Sequence, residues 1–210
     1  MTNLNNNKLP EGFVYVSELI PTIQESIVYA GVNNFLGQPV DGYISAKAIL
    51  THSAAMALKS AQEYLLKAGF SLKIFDAYRP KRAVKHFLRW VDEPDIVACK
   101  QRFYPDFTKA ELFQKGYLAT YSSHSRGSTV DLTIVSLATG IELNMGTEFD
   151  FFGEASWSNY QQLSKKQLDN RQYLHSVMLE AGFQPFELEW WHFTLGNEPY
   201  PSQYFDFIVK

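Results

Sequence analysis

The stretch SSHSRGSTVDLTIVSL, residues 122–137, joins two kinds of sequence. Its second part, TVDLTIVSL, alternates in the manner of a strand. Its first part is small and polar, and together they set His124 and Asp131 seven residues apart. Both side chains are good metal ligands, one on a flexible turn and one on the strand that follows. If the pair is a site, a third ligand has to come from elsewhere in the chain.

The flanking sequence predicts what this strand packs with. Beyond it, ATG at 138–140 turns the chain into IELNM. Before it, residues 45–68 carry Ile49, Leu58 and Leu65 at helical spacing, and Gly69 follows as a C-terminal cap. SLKIFDAY is short, β-branched and aromatic, and reads as a strand ending at Arg79-Pro80. KRAVKHFLRWVDE, 81–93, is a second helix with Pro80 at its start, and 163–181 is a third, closed by Gly182. FQPFELEWWHFTL is strand-like, and a Pro-rich tail ends the chain. Helices first and paired strands later, without regular β-α alternation, predict an α+β fold with a small central antiparallel sheet flanked by helices.

Composition bounds the rest. At 210 residues, 46% hydrophobic and with 16 Phe, the chain is long and apolar enough for a single domain over 1–210 with its own core. Residues 1–10, with the Asn-rich NLNNNK, read as a loose N-terminal segment. A net charge of −3 without any basic run argues against a nucleic-acid partner. No apolar run approaches the roughly 18 residues that cross a bilayer. The start, MTNLNNNKLPEGF, lacks a positive cluster ahead of an apolar core, so no secretory signal is expected. Cys99 is the single cysteine, which rules out an intramolecular disulfide; in IVACK it reads as a small hydrophobe of a packed helix. The expected location is cytoplasmic, and the oligomeric state, including a homo-oligomer, stays open.

The candidate third ligand is His192, in ELEWWHF, with Glu189 three residues before it. Catalytic zinc takes three protein ligands and leaves a position for water, and a glutamate close to a histidine ligand can act as its general base. His192 on its own would also pass for a core histidine among aromatics. His52, His86 and His175 lie in predicted helices and read as packing or surface residues. On a regular strand, residues three apart face opposite sides, so Glu189 and His192 share a site only if the run bulges or Glu189 precedes the strand. Arg79 reads either as a structural arginine paired with Asp76 or Asp92, or as a fixed cation stabilising oxyanion charge.

Together, FDAYRPKRAV, SSHSRGSTVDLT, MGTEFDFFGE and LEWWHF, with EPYP and YFDF behind and IVYAGVNNFLGQPVDGY ahead, resemble the zinc D-alanyl-D-alanine dipeptidases of the VanX type. The resemblance spans nearly the whole chain and implies a hedgehog/DD-peptidase-like fold. The family pattern S-x-H-x-x-G-x-x-x-D falls on Ser122, His124, Gly127 and Asp131, and E-x-W-H on Glu189, Trp191 and His192. It implies one zinc ion per chain on His124, Asp131 and His192, with Glu189 as base for attack by metal-bound water. Arg79 then supports the transition state, Ser122 helps hold the substrate carboxylate, and Tyr29 and Asp150 lie near its ammonium. The implied reaction is hydrolysis of D-Ala-D-Ala to two D-alanines, and capture of both charged ends would restrict the enzyme to dipeptides. Two departures are Ala77, where the resistance enzymes carry glycine, and the segment ASWSNYQQ after FDFFGE. The rival readings are a D,D-carboxypeptidase or endolysin-like peptidase acting on longer peptidoglycan peptides, and a zinc-binding module without catalysis. Resistance, cell-wall recycling and D-alanine scavenging are equally compatible physiological roles.

Overall fold

The computed structural model describes residues 8–210, so the predicted loose segment lies largely outside the described residues; from Leu9 onward the chain packs on the core. In chain order the elements are β1 (Phe13–Tyr15), α1 (Val16–Leu19), β2 (Gln24–Glu25), β3 (Ile49–Thr51), α2 (His52–Lys67), β4 (Phe70–Asp76) and α3 (Lys81–Trp90). They continue with α4 (Val97–Phe103), α5 (Lys109–Gln114), β5 (Thr129–Ser136), α6 (Lys165–Glu180), β6 (Phe183–Phe186) and β7 (Glu189–Leu195).

The predicted α+β architecture is present. Its main sheet has the order β2-β4-β5-β7-β6. All its pairings are antiparallel except β2 with β4, which are parallel, so the sheet is mixed at that edge. Helices α2 and α6 pack on β4 and β6 and on each other. β5 is the strand read from TVDLTIVSL, and every residue from Thr129 to Val135 is buried. Val130, Leu132 and Ile134 belong to the core, while Thr129, Asp131 and Thr133 alternate to the other side.

Three local differences from the sequence reading have physical causes. The helix expected over 45–68 begins only at His52, because Ile49–Thr51 pair with Phe13–Tyr15 as a separate two-stranded sheet. Thr51 then caps α2, its hydroxyl accepting from the Ala54 amide, an interaction worth about 1 kcal/mol. IELNM forms no strand; it meets β5 through one bridge, Val135 opposite Glu142. FQPFELEWWHFTL is not one strand but the β6–β7 hairpin, turning through Glu187 and Leu188.

Two features hold the polar turn before β5. Ser123–Arg126 form a 3-10 turn, with the Ser122 hydroxyl accepting from the His124 amide and Gly127 ending it at φ 83°. The Thr51 amide donates to the Gly127 carbonyl (2.7 Å), and the Phe13 ring packs against the Gly127 Cα with no space for a methyl group. Phe13 is itself fixed by Tyr78, Phe205 and Phe207, with ring centroids 5.8, 4.9 and 5.0 Å away. Gly127→Ala should therefore combine left-handed strain with overpacking and lower unfolding free energy by about 2–4 kcal/mol in denaturant titration. An unchanged midpoint would mean that the turn is free to shift away from Phe13.

Candidate active site

Register brings the site together. Asp131 on β5 lies directly opposite His192 on β7 and opposite Asp76 on β4, so three polar side chains form a row across the central strands. On the β4 side, a bulge at Phe75 shifts the register between Ile74 and Asp76. On the β7 side, Phe186 pairs with Glu189 and Pro185 with Phe193, which leaves Trp190, Trp191 and His192 unmatched on β6. That bulge resolves the spacing problem of ELEWWHF: Glu189 Oε2 lies 3.4 Å from His192 Nδ1. Of the two conditions set out from the sequence, the bulge is the one that holds: Glu189 does not precede the strand but is the first residue of β7.

His124 reaches the row from the 3-10 turn. Its Nε2 is 3.2 Å from Asp131 Oδ2 and 3.3 Å from His192 Nδ1, and His192 Nδ1 is 3.2 Å from Asp131 Oδ1. Each ring is oriented by its other nitrogen. His124 Nδ1 lies 2.7 Å from the Ala77 carbonyl, which can only accept, so Nδ1 carries a hydrogen and Nε2 is the nitrogen turned to the cluster. His192 Nε2 lies 3.3 Å from the Ser123 hydroxyl. Ala77 contributes its backbone oxygen, so its side chain takes no part in orienting His124.

These three donors, two imidazole nitrogens and a carboxylate, lie within 4.8 Å of one another and could hold a metal ion. One observation tests the fit directly. Asp131 Oδ1 is buried without a hydrogen-bond partner, an orphaned anionic lone pair facing the cluster. Nitrogen–oxygen–nitrogen donors with each ring held by an outer partner are what divalent zinc sites use.

The electrostatics agree. Burial works to raise the Asp131 pKa, but His124 and His192 beside it hold the carboxyl below the usual carboxylate range. Burial works against a charged His192, yet the carboxylates of Asp131 and Glu189 beside its ring pull it up to about 9. A metal held by His192 Nδ1 would take the place of that proton.

Arg79 follows β4 and is buried, with Nε 2.8 Å from Asp76 Oδ2 and Nη2 3.5 Å from Asp131 Oδ2. It pairs with Asp76 and not with Asp92, and it also lines the cleft, so its structural and functional readings are compatible. Its guanidinium carbon stands 5.0 Å from the Tyr29 ring centroid and 5.3 Å from that of Phe87. The Tyr29 hydroxyl donates to Asp150 Oδ2 (2.9 Å). Burial pushes Asp150 well above the ordinary carboxylate range, Asp131 and Glu189 adding to the rise and Arg79 opposing it.

All the residues singled out in the sequence line one cavity of ≈ 340 Å³: Tyr29, Arg79, Ser122, His124, Asp131, Asp150, Glu189 and His192. The sequence reading missed others on its wall, including Phe87, Tyr117, Gln184 and Phe186. It also missed Tyr43, whose hydroxyl donates to Asp76 Oδ1 (2.7 Å). The one sign in the sequence that Asp76 belongs to the site is its place in FDAYRP, three residues before Arg79. The other histidines are elsewhere: His52 is exposed, His175 half-buried, and His86 accepts from the Asp41 amide (3.1 Å).

Three donors that could hold a metal, in a cleft beside a glutamate and a buried guanidinium, are the set of groups a metal-dependent hydrolase uses. The family comparison then specifies the class. A family model described as D-ala-D-ala dipeptidase, of peptidase family M15, matches residues 10–210, and the chain belongs to that family of metallopeptidases. It is 42% identical over 202 residues to a D-alanyl-D-alanine dipeptidase of Enterococcus faecalis, covering 96% of this chain and 100% of the relative. It is 43% identical over 197 residues to one of Streptomyces coelicolor, covering 94% and 98%. Among solved structures, the LdcB LD-carboxypeptidase aligns with a TM-score of 0.48 and 18% identity, over 92% of this chain and 72% of that one.

Metal analysis of purified variants tests the donor set. His192→Ala should lose the bound divalent ion, whereas Ser123→Ala, which removes only an outer partner, should weaken affinity by roughly 10–100-fold. Full metal content in His192→Ala would exclude the cluster as the binding site.

Proposed function

We propose that this protein is a zinc-dependent dipeptidase that hydrolyses D-Ala-D-Ala to two D-alanines, with residues 10–210 acting as one catalytic domain. The observation that carries this reading is the gathering, around one cavity, of a three-donor metal cluster, a glutamate, a guanidinium and two groups suited to opposite substrate ends. The names of relatives matched along almost their whole length support the substrate.

His124, Asp131 and His192 would hold the zinc. When bound, it would polarise the peptide carbonyl and lower the pKa of a water towards about 7. Glu189 takes a proton from the attacking water as its oxygen bonds to the carbonyl carbon. When the C–N bond breaks, Glu189 returns that proton to the leaving amine. Arg79 is held by Asp76 and so faces the developing oxyanion already oriented, with no side-chain reorganisation during the step. Asp150, held by the Tyr29 hydroxyl, takes the substrate ammonium, and Ser122 helps hold its carboxylate.

Pairing of both ends is what excludes longer peptides, since a blocked amine or an extended chain leaves a buried group unpaired. D-alanine release should be zinc-dependent with the free dipeptide and absent with N-acetyl-D-Ala-D-Ala or a pentapeptide ending in D-Ala-D-Ala. Cleavage of the longer peptides would reassign the chain as a carboxypeptidase, and zinc binding without any turnover would make it a binding module. Glu189→Gln should cut kcat by about 10²–10⁴-fold, the usual worth of a general base, while zinc content stays unchanged. Normal turnover in that variant would remove Glu189 from the mechanism.

A further inference from the structure

Asp150 sits on a long loop with a strained residue at its functional point. The segment from Asn144 to Ser158 has no regular structure apart from a 3-10 turn at Glu154–Ser156. Asp150 itself has φ 63°, the one positive value outside glycine among the described residues. A non-glycine residue holds such a conformation only where its surroundings over-determine it.

Those surroundings converge on one buried arginine of α6. Arg171 donates from Nε to the Met145 carbonyl (2.6 Å), from Nη2 to Ala155 (2.7 Å) and from Nη1 to Trp157 (2.9 Å). The first carbonyl lies on the incoming stem of the loop and the other two on the outgoing stem, so one planar guanidinium spans both. Its neighbour Asn170 adds a bond to the Asn144 carbonyl (2.8 Å). Within the loop, the Ser156 hydroxyl donates to the Phe151 carbonyl (2.6 Å) and lies 2.9 Å from the Thr147 hydroxyl. The Thr147 hydroxyl also accepts from Trp190 Nε1 (2.8 Å), on the bulge between Glu189 and His192.

Arg171 is only 6% exposed, and burial lowers its pKa to about 10, which still leaves it charged at neutral pH. Its partners are backbone carbonyls, so the charge is spent on holding the loop's shape. Charge-assisted bonds of this kind are the stronger class, and the planar fork is what lets one side chain meet three oxygens in fixed directions.

We propose that Arg171 is a positioning residue that staples the two stems of the Asp150 loop and thereby sets recognition of the substrate ammonium. This rests on the reading of Asp150 as the ammonium partner. Arg171→Lys keeps the charge and loses the fork, so it is the informative variant. Asn170→Ala, which releases only the Asn144 carbonyl, carries the same test in milder form if Arg171→Lys does not fold.

The test compares zinc-loaded wild type, Arg171→Lys and Asp150→Asn on D-Ala-D-Ala, with N-acetyl-D-Ala-D-Ala as substrate or, by its Ki, as inhibitor. In Arg171→Lys, KM for the free dipeptide should rise on the order of 10-fold to 100-fold, as expected of a misplaced binding group, with a smaller fall in kcat. Affinity for the acetylated compound should stay put, as should one zinc per chain. Hydrogen exchange should quicken in residues 145–157 and remain slow in β4 and β5. Equal losses on both compounds, an unchanged KM, or unchanged exchange in the loop would overturn the proposal. The two layers separate through Asp150→Asn. A raised KM there with wild-type behaviour in Arg171→Lys overturns the staple alone, whereas an unchanged KM in Asp150→Asn overturns the ammonium reading and the specificity role built on it.

Discussion

Asp76, Asp131, Asp150 and Glu189 are each no more than 8% exposed; the first three are drawn together around the Arg79 side chain, with the His124 imidazole beside Asp76 and Asp131. Burying that much negative charge is costly unless cations and donors surround it. The rest of the structure answers this constraint. Arg79 bonds Asp76, hydroxyls of Tyr43 and Tyr29 donate to Asp76 and Asp150, and two imidazoles flank Asp131. One oxygen of Asp131 remains without a donor, and there the proposed zinc would add its two positive charges. Asp76 and Asp150 are both pushed up by burial, which shows how closely the balance is drawn.

Sheet geometry makes the gathering feasible. A row across β4, β5 and β7 puts Asp76, Asp131 and His192 side by side, and the two bulges aim neighbouring residues at the same place. The strands are held by the core beneath them, so Asp131 and His192, two of the three proposed ligands, inherit the rigidity of the sheet. His124 and the groups proposed to read the substrate sit on loops and need ties of their own. Gly127 and Phe13 fix the His124 turn, and Arg171 ties the loop that carries Asp150.

Much of this was legible in the chain. The periodicity of α3 and α6 and the alternation of TVDLTIVSL are local signals, and the structure follows them with small shifts at the ends, while α2 keeps its predicted end but starts seven residues late, at His52. Even the irregularity of β7 is written in the spacing, since Glu189 and His192, three apart, can meet at one site only across a bulge or with Glu189 ahead of the strand, and the structure has the bulge. What escaped were pairings between distant segments. Ile49–Thr51 carry helix-compatible neighbours, and only Phe13–Tyr15, far earlier in the chain, draw them into a strand. Arg171 reads as an ordinary polar position of a helix, because its partners are backbone carbonyls, which leave no mark in the side-chain sequence. Tyr43 is silent for a similar reason: its value lies in the Asp76 contact, 33 residues away.

The sheet's two borders bear on how any peptide can be held. β6 is a border strand, and Pro185 within it lines the cavity while lacking an amide hydrogen. The other border, β2, is two residues long. Many peptide-binding proteins take an extended ligand by letting it join a sheet as one more strand, gripping the main chain at successive residues. Here the border beside the cleft is broken by proline and the far one is too short to offer such a ladder. That agrees with the proposed grip at the ligand's extremities, which favours the shortest peptide that has two of them.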